Sequence, residues 1–170
     1  QVFEESRIPY FLDEKHTILM NPFIEYIRAA LEMVTKGFSY ESVFRYLRCD
    51  MSGLGRDQVD MLENYVLALG IRGYKKWSEK WVRVYRTMDP EDIQVLNEYR
   101  EIFVREAEIL AQGFSSGKRK VCEYCYSLYQ FIESCEIQKK LKKQELFFKE
   151  KGEKALEKEY AQIYGIVMEL

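Results

Sequence analysis

Cysteine and histidine are the residue types in this chain that could hold a soft metal ion. Cys122 and Cys125 form a Cys-x-x-Cys pair, a spacing that zinc sites and iron–sulfur clusters use. Either centre needs two more soft ligands nearby. Cys135 lies further along the same helical stretch, and the single histidine, His16, is far away in sequence. The ligand set is therefore incomplete, and we predict no metal site.

The cysteine pair also fits a structural interpretation. Cys122, Cys125, Leu128 and Ile132 share one apolar face of a predicted helix, and cysteine is a common core residue. We therefore predict that both cysteines are packed in the core. The four cysteines of the chain do not form the framework of a small secreted disulfide protein, which favours a reducing, cytosolic location.

Histidine and paired carboxylates are the candidate acids and bases. His16 has no serine, cysteine or aspartate partner in a recognisable catalytic arrangement. The pairs Asp57/Asp60 and Glu157/Glu159 lie on predicted helices, where such groups are usually solvated or interact with the positive N-terminal end. A nuclease needs carboxylates that converge on Mg²⁺, and no spacing here requires that. We assign no catalytic residue.

The run 117–119, Gly-Lys-Arg, is the nearest approach to a phosphate-binding loop. It lacks the upstream glycine, the Ser or Thr after the lysine and the preceding strand of a P-loop. We therefore expect neither ATP binding nor enzymatic activity from these 170 residues alone.

Basic and aromatic residues alternate in segment 71–86, the candidate nucleic-acid site. Lysine and arginine neutralise phosphates, and aromatic faces can stack on bases. Alternatively, Trp77 and Trp81 anchor a short helix to the core while the basic side chains stay solvated. Both interpretations hold together if the tryptophans pack inward and the lysines face outward. The predicted DNA-binding residues are Arg72, Lys75, Lys76, Lys80, Arg83 and Arg86.

A second basic run, 139–143, lies among many glutamates in the stretch 136–159. Mixed charges at this density are typical of a solvated helix face with pairs three or four residues apart. We expect no nucleic-acid contact there.

The composition of the chain limits its domain count and the kind of partner it can have. The chain is 47% hydrophobic and 15% aromatic, enough for a packed core in one domain, or one domain plus a piece of another. Its net charge of −2 predicts no partner, so any nucleic-acid contact must be local. We recognise no secretory signal, and no apolar run approaches the roughly 20 residues of a membrane span.

The hydrophobic pattern predicts an all-α domain. One short strand is predicted at 8–12, and Asn21-Pro22 opens the first helix, which Gly37 ends. Its expected inner face is Phe23, Ile24, Ile27, Leu31 and Val34. The later predictions are a short helix capped by Ser39, a loop at 50–56, helices at 57–69 and 90–111, closure of the latter by Gly113, a linker at 113–118, and helix over 118–170 with breaks near 135–136 and 152.

Three stretches carry a resemblance to a known family. Residues 57–73 read DQVDMLENYVLALGIRG; residues 8–15 followed by 21–28, and residues 40–47, support the same match in the same order. The chain resembles a segment of the B subunit of bacterial AddAB/RexAB-type ATP-dependent helicase-nucleases. The absence of an initiator methionine and the helical pattern at the last residues lead us to interpret it as an internal piece of such a subunit.

The resemblance implies an architecture. Residues 1–36 look like the chain entering the second RecA-like (2A-like) motor domain, including the short strand. Residues 37–170 look like the helical insertion called 2B in superfamily 1 helicases, truncated at its C-terminal end. The resemblance places ATP, Mg²⁺ and iron–sulfur sites elsewhere in the subunit, so no cofactor and no catalytic motif is expected in this segment.

The resemblance also implies a function. Such subunits work with an A subunit in processing DNA double-strand breaks for recombination, in the bacterial cytoplasm. We therefore expect a non-catalytic helical domain that supports DNA and packs against neighbouring domains or the A subunit. The alternative is a protein–protein interaction module without DNA contact, which exposed apolar surface at the ends of the chain and on helix faces would favour.

Overall fold

The computed structural model describes residues 20–85, 88–115, 117 and 119–169, which form eight α-helices and no β-strand. The predicted all-α class is thus confirmed. The predicted strand at 8–12 and His16 lie outside the described residues. The helices are α1 (Pro22–Thr35), α2 (Tyr40–Leu47), α3 (Arg56–Leu69), α4 (Tyr74–Ser78), α5 (Asp92–Ser115), α6 (Val121–Ser134), α7 (Ile137–Glu150) and α8 (Lys154–Met168).

Local capping chemistry starts the first two helices where the sequence predicts. The side-chain oxygen of Asn21 accepts a hydrogen bond from the Phe23 N–H at 2.9 Å, and Pro22 occupies the first turn of α1. The Ser39 hydroxyl caps α2 by accepting from the Ser42 N–H. These contacts satisfy backbone donors that lack partners at a helix start.

The buried face of α1 differs from the predicted one. Its fully buried residues are Phe23, Tyr26, Ala29, Ala30 and Met33. The hydroxyl groups of Tyr26 and Tyr46 lie 2.8 Å apart in the core, and the Tyr26 ring stacks on Phe131 with centroids 5.5 Å apart. This aromatic packing turns Ile24 and Ile27 to the edge, where they are half-buried. Leu31 and Val34 are half-buried as well.

The prediction that Gly113 ends the long helix is wrong, because α5 continues to Ser115. Gly113 is instead a close-contact position between α5 and α6. A Cβ atom there would lie 2.5 Å from the Ser127 hydroxyl oxygen and 2.6 Å from its Cβ. The glycine is therefore required by helix packing and not by a turn.

One aromatic core joins the helices. Trp77 of α4 meets Phe103 of α5 edge to face at 4.6 Å, and Tyr46 of α2 packs between Phe103 and Phe131. Helix α1, which lies before the predicted boundary at residue 36, contributes Met33 and its other buried residues to the same core. The division into 1–36 and 37–170 stays a prediction.

The C-terminal helices α7 and α8 form a hairpin, with breaks where the sequence predicts them. Glu136 and Gly152 have φ angles of 51° and 75°, and Phe148 stacks on Tyr160 across the hairpin at 5.3 Å. In the predicted solvated run, Lys139 and Lys142 are exposed and pair with nearby glutamates. None of the helices in the described ranges is long and apolar enough to cross a bilayer.

Candidate nucleic-acid interface

Two glycines place the basic segment on the surface of the helical body. Gly70, with φ 63°, ends α3 in the left-handed conformation, and the Ile71 N–H bonds back to Val66 at 3.0 Å. Gly73, with φ 80°, donates its N–H to the Phe38 carbonyl at 3.1 Å. The chain is thereby tied to the end of α3 and to the α1–α2 connection before α4 begins.

Both tryptophans of the segment are core residues. Trp77 is 1% exposed and Trp81 is 6% exposed. Trp81 stacks on Tyr65 of α3 with ring centroids 4.7 Å apart, and its indole N–H donates to the Lys76 carbonyl at 2.9 Å. The predicted anchoring role of the tryptophans is confirmed, and neither indole face is available to stack on a base.

Two polar side chains of α5, Asn97 and Arg100, bind the backbone at these tryptophans, and we call this pair the clasp. Asn97 accepts from the Trp81 N–H at 2.9 Å and donates to the Trp81 carbonyl at 2.8 Å. Arg100 donates to the Trp77 carbonyl at 2.9 Å and to the Asn97 side-chain oxygen at 3.0 Å. The two side chains supply hydrogen-bond partners to buried backbone groups that lack a neighbouring strand.

Burial makes the clasp rigid. Asn97 is 6% exposed and Arg100 is 4% exposed, so an unpaired group on either side chain would carry a desolvation cost. The guanidinium also meets the carboxylate of Glu101 at 3.0 Å, which is itself mostly exposed. No buried side-chain nitrogen or oxygen of the described residues lacks a hydrogen-bond partner.

Sequence reasoning missed Asn97 and Arg100. The sequence does contain a signal for them. Both residues lie between Leu96 and Phe103 on the inward face of α5, where they interrupt a stripe of apolar residues. A polar residue inside an apolar stripe must find buried partners, so it marks a place where irregular backbone packs on a helix.

The basic side chains of the segment face solvent and not the buried tryptophans. All five of the predicted DNA-binding residues that the structure describes are exposed: Arg72, Lys75, Lys76, Lys80 and Arg83. Arg86 lies outside the described residues. Lys76 is 3.8 Å from the Glu79 carboxylate, a pair exposed on both sides and correspondingly weak.

Three of these five residues share one groove. Lys76, Lys80 and Arg83 line a cleft of about 270 Å³ beside the end of α3, with Tyr65 and Trp81 among its other lining residues. Arg72 and Lys75 do not line it. The Tyr65 hydroxyl donates to the Arg83 carbonyl at 2.8 Å, which fixes the backbone on the far side of the groove. The arrangement can bind phosphate groups through charge on a preorganised backbone.

The cysteines are arranged differently from the prediction. Cys122 and Cys125 are exposed, so the prediction that they pack in the core is wrong. The buried residues of α6 are Ser127, Phe131 and Ile132, because the close approach of Gly113 to Ser127 turns that side of the helix inward. Of the other two cysteines, Cys135 is buried and Cys49 is half-buried.

Potential metal ligands are dispersed over the described residues. Within them, no three His, Cys, Asp or Glu side chains are placed to hold a metal ion together, so these residues do not fit an iron–sulfur cluster. Asp57 and Asp60 are exposed at the start of α3, in keeping with a helix-end role.

A buried polar chain is the second feature that the sequence did not reveal. The Tyr46 hydroxyl donates to the Glu106 carboxylate at 3.0 Å, and the Gly53 N–H donates to its other oxygen at 2.7 Å. Burial raises the pKa of Glu106, while the nearby ammonium of Lys140 opposes that rise. Burial also raises the pKa of the Cys135 thiol.

Fold and site together define the class of protein. It is an all-α domain whose candidate interface is a basic surface segment anchored by two buried tryptophans. No protein-family profile matches the chain. It is similar to the B subunit of the ATP-dependent helicase/deoxyribonuclease of Clostridium novyi (strain NT), with 41% identity over 99% of this chain and 14% of that protein. The corresponding protein of Lachnoclostridium phytofermentans is 38% identical over 98% of the chain and 15% of that protein.

A third relative of the same name, from Caldanaerobacter subterraneus subsp. tengcongensis, is 37% identical over 99% of the chain. The chain thus spans about one seventh of the length of the curated relatives it matches. It belongs to the family of ATP-dependent helicase/deoxyribonuclease B subunits, as its sequence resemblance predicts.

Proposed function

We propose that the chain is a non-catalytic helical domain of a helicase-nuclease B subunit that acts in DNA double-strand-break processing and recombinational repair in the bacterial cytoplasm. Residues 1–36 form the entry segment from the 2A-like motor domain of that protein and residues 37–170 its 2B-like insertion, and the partners of the chain are DNA and the A subunit. Family membership and the all-helical fold support this assignment. We assign no catalytic residue and no cofactor to these residues.

Within that role, the basic segment contacts the DNA backbone. The observation that carries this proposal is the groove that Lys76, Lys80 and Arg83 line. One acid, Glu79, lines it as well, and Asn97 holds the backbone of the segment at Trp81. The net charge of −2 makes such a local cluster necessary for DNA contact. Since the indoles are buried, the contact is with phosphates and not with base faces, and it is independent of sequence.

The test is a fluorescence-anisotropy titration of forked DNA at several salt concentrations. The first variant combines Lys76→Gln, Lys80→Gln and Arg83→Gln. The matched control combines Lys139→Gln, Lys142→Gln and Lys143→Gln on α7, which removes the same charge from another exposed face. Each lost phosphate contact reduces the slope of log K against log salt by about 0.9, so the groove variant loses about 2 to 3 of that slope, and its loss of affinity grows as the salt concentration falls.

Equal losses in both variants would mean that only net charge matters, and the groove assignment would be wrong. If the wild-type chain shows no binding at low salt while its circular dichroism shows a folded helical protein, the interaction-module alternative takes its place. ATP hydrolysis or DNA cleavage by the purified chain, after controls for contaminants, would contradict the non-catalytic assignment.

A further inference from the structure

An apolar groove lies between α1, α6 and the end of α8, on helices that the basic segment does not include. Its volume is about 470 Å³. The apolar residues that line it are Ile24, Ile27, Leu128, Ile132, Val167 and Met168. Arg28, Cys125 and Tyr129 complete its lining, and all three are exposed.

The first and last helices meet beside this groove. The Asn21 side-chain amide donates to the Glu159 carboxylate at 2.6 Å, and the Phe23 ring stacks on Tyr164 with centroids 6.3 Å apart. The start of α1 and the middle of α8 are therefore neighbours in space.

We infer that this groove docks an apolar segment from the rest of the same full-length protein, one that carries a carboxylate for Arg28. The chain accounts for 14 to 15% of the length of its relatives, so a large body of polypeptide adjoins it in a full-length protein of this family. The Arg28 side chain is 57% exposed, and its ion pair with Glu25 is a long one of 4.0 Å, so a second carboxylate can approach it.

Tethering favours this occupant over a second copy of the chain. A stable dimer typically buries roughly 800 Å² per partner, much more than one cleft provides. A segment joined covalently to the domain is present at a local concentration of the order of millimolar, so a small apolar contact suffices. The inference rests on the part of the proposed function that places the chain inside a larger protein, and it does not depend on DNA binding.

Two natural cysteines of α6 can report whether the apolar groove is covered. Cys125 lines the groove, whereas Cys122, one turn earlier on α6, is exposed and does not. The experiment measures the alkylation rate of each thiol by iodoacetamide, resolved by peptide mass spectrometry, in the 170-residue chain and in a full-length protein that contains it. No DNA is present.

In the isolated chain we expect both thiols to react. In the full-length protein we expect alkylation of Cys125 to slow by about tenfold or more, as for a site reached only by local opening, while Cys122 keeps its rate. Unchanged rates at Cys125, or equal slowing of both thiols, would overturn the inference. Slowing of Cys125 in the isolated chain as its concentration rises would assign the groove to a second copy and overturn it as well.

A pair of tyrosine variants gives a second measurement. Tyr129 lines the groove and is 48% exposed, and Tyr126 on the same helix is 61% exposed and does not line it. We expect Tyr129→Glu to lower the melting temperature of the full-length protein and not that of the isolated chain, and Tyr126→Glu to change neither. Equal effects of Tyr129→Glu in both proteins would contradict docking. Failure of the wild-type chain to bind DNA would leave this result untouched.

Discussion

Asn97 binds both backbone groups of Trp81, accepting from its N–H at 2.9 Å and donating to its carbonyl at 2.8 Å. A single amide side chain on α5 thus supplies both backbone partners of a buried residue that lies outside any helix or strand. The same oxygen of Asn97 accepts from Arg100 at 3.0 Å. The position of the basic segment therefore depends on a residue that carries no charge and lies outside that segment.

Asn97→Leu should destabilise the chain by about 3 kcal/mol, because it leaves buried donors and an acceptor without partners. Urea unfolding followed by circular dichroism measures this free energy. Asn97→Asp keeps the acceptor for Trp81 and Arg100 but loses the donor, so its destabilisation should be smaller. A loss below about 0.5 kcal/mol for Asn97→Leu would show that the clasp does not hold the segment.

Helix ends set by local contacts could be predicted from the sequence, whereas the inward faces of α1 and α6 could not. The start of α1 depends on Asn21 and Pro22, and the end of α3 depends on Gly70; these contacts are local and follow from the residue types. The inward face of a helix depends on its neighbours. The predicted stop at Gly113 is wrong for that reason: its partner Ser127 lies on another helix.

In the candidate site, the inward packing of Trp77 and Trp81 and the exposure of the basic residues could be predicted from their spacing, because tryptophan packs inward when it alternates with lysine in a short amphipathic segment. The clasp did not follow from spacing. Asn97 and Arg100 are distant in sequence from the backbone that they bind, and pairing between them cannot be deduced from a single chain. The groove shared by Lys76, Lys80 and Arg83 is likewise a consequence of tertiary contacts.

Two glycine-to-alanine changes should have opposite signs. Gly113→Ala places a Cβ 2.5 Å from the Ser127 oxygen, so overpacking should cost about 1–3 kcal/mol. Gly165→Ala in α8 meets nothing within 4 Å and should stabilise the helix by about 0.5–1 kcal/mol. Thermal and urea unfolding measure both. A stabilising Gly113→Ala would contradict the close approach of α5 and α6.

Glu106 should make the stability of the chain fall with pH above its ordinary pKa of 4.5. Burial raises its pKa in the folded state, so between the unfolded and folded pKa values the native state holds the proton more tightly. The unfolded state then binds fewer protons, and the free energy of unfolding decreases as pH rises through this window. Below the unfolded pKa this stabilising contribution is fully present.

Glu106→Gln tests this dependence, because the amide cannot ionise. Its oxygen can still accept from the Gly53 N–H, and its NH2 group can donate to the Tyr46 hydroxyl oxygen in place of the carboxylate oxygen that accepts from it. The variant should gain stability relative to the wild type as pH rises from 4.5, and the difference should level off above the folded pKa. Urea unfolding at intervals between about pH 4 and pH 8 gives the curve. A constant difference across that range would show that Glu106 does not titrate with a raised pKa.

Two of the four thiols should react much faster than the others at about pH 8. Cys122 and Cys125 are exposed. Burial raises the pKa of the Cys49 thiol to about 11, and it also raises the pKa of the Cys135 thiol, so both thiolate fractions are lowered. Ellman's reagent should therefore show two fast equivalents, with the other two released after unfolding in urea. Four slow thiols would restore the packed-core prediction for the Cys-x-x-Cys pair.

DNA binding should leave the tryptophan fluorescence of the chain nearly unchanged. Trp77 and Trp81 are buried against Phe103 and Tyr65, so bases cannot reach the indole faces, while Lys80 and Arg83 remain accessible to phosphates. Stacking on a base would quench the emission strongly and favour single strands, as in aromatic single-strand binding sites. The measurement is tryptophan emission during titration with oligo-dT and with duplex DNA, at a salt concentration where anisotropy shows saturation. Strong quenching by oligo-dT would mean that the segment opens on binding, and the phosphate-only interface would be wrong.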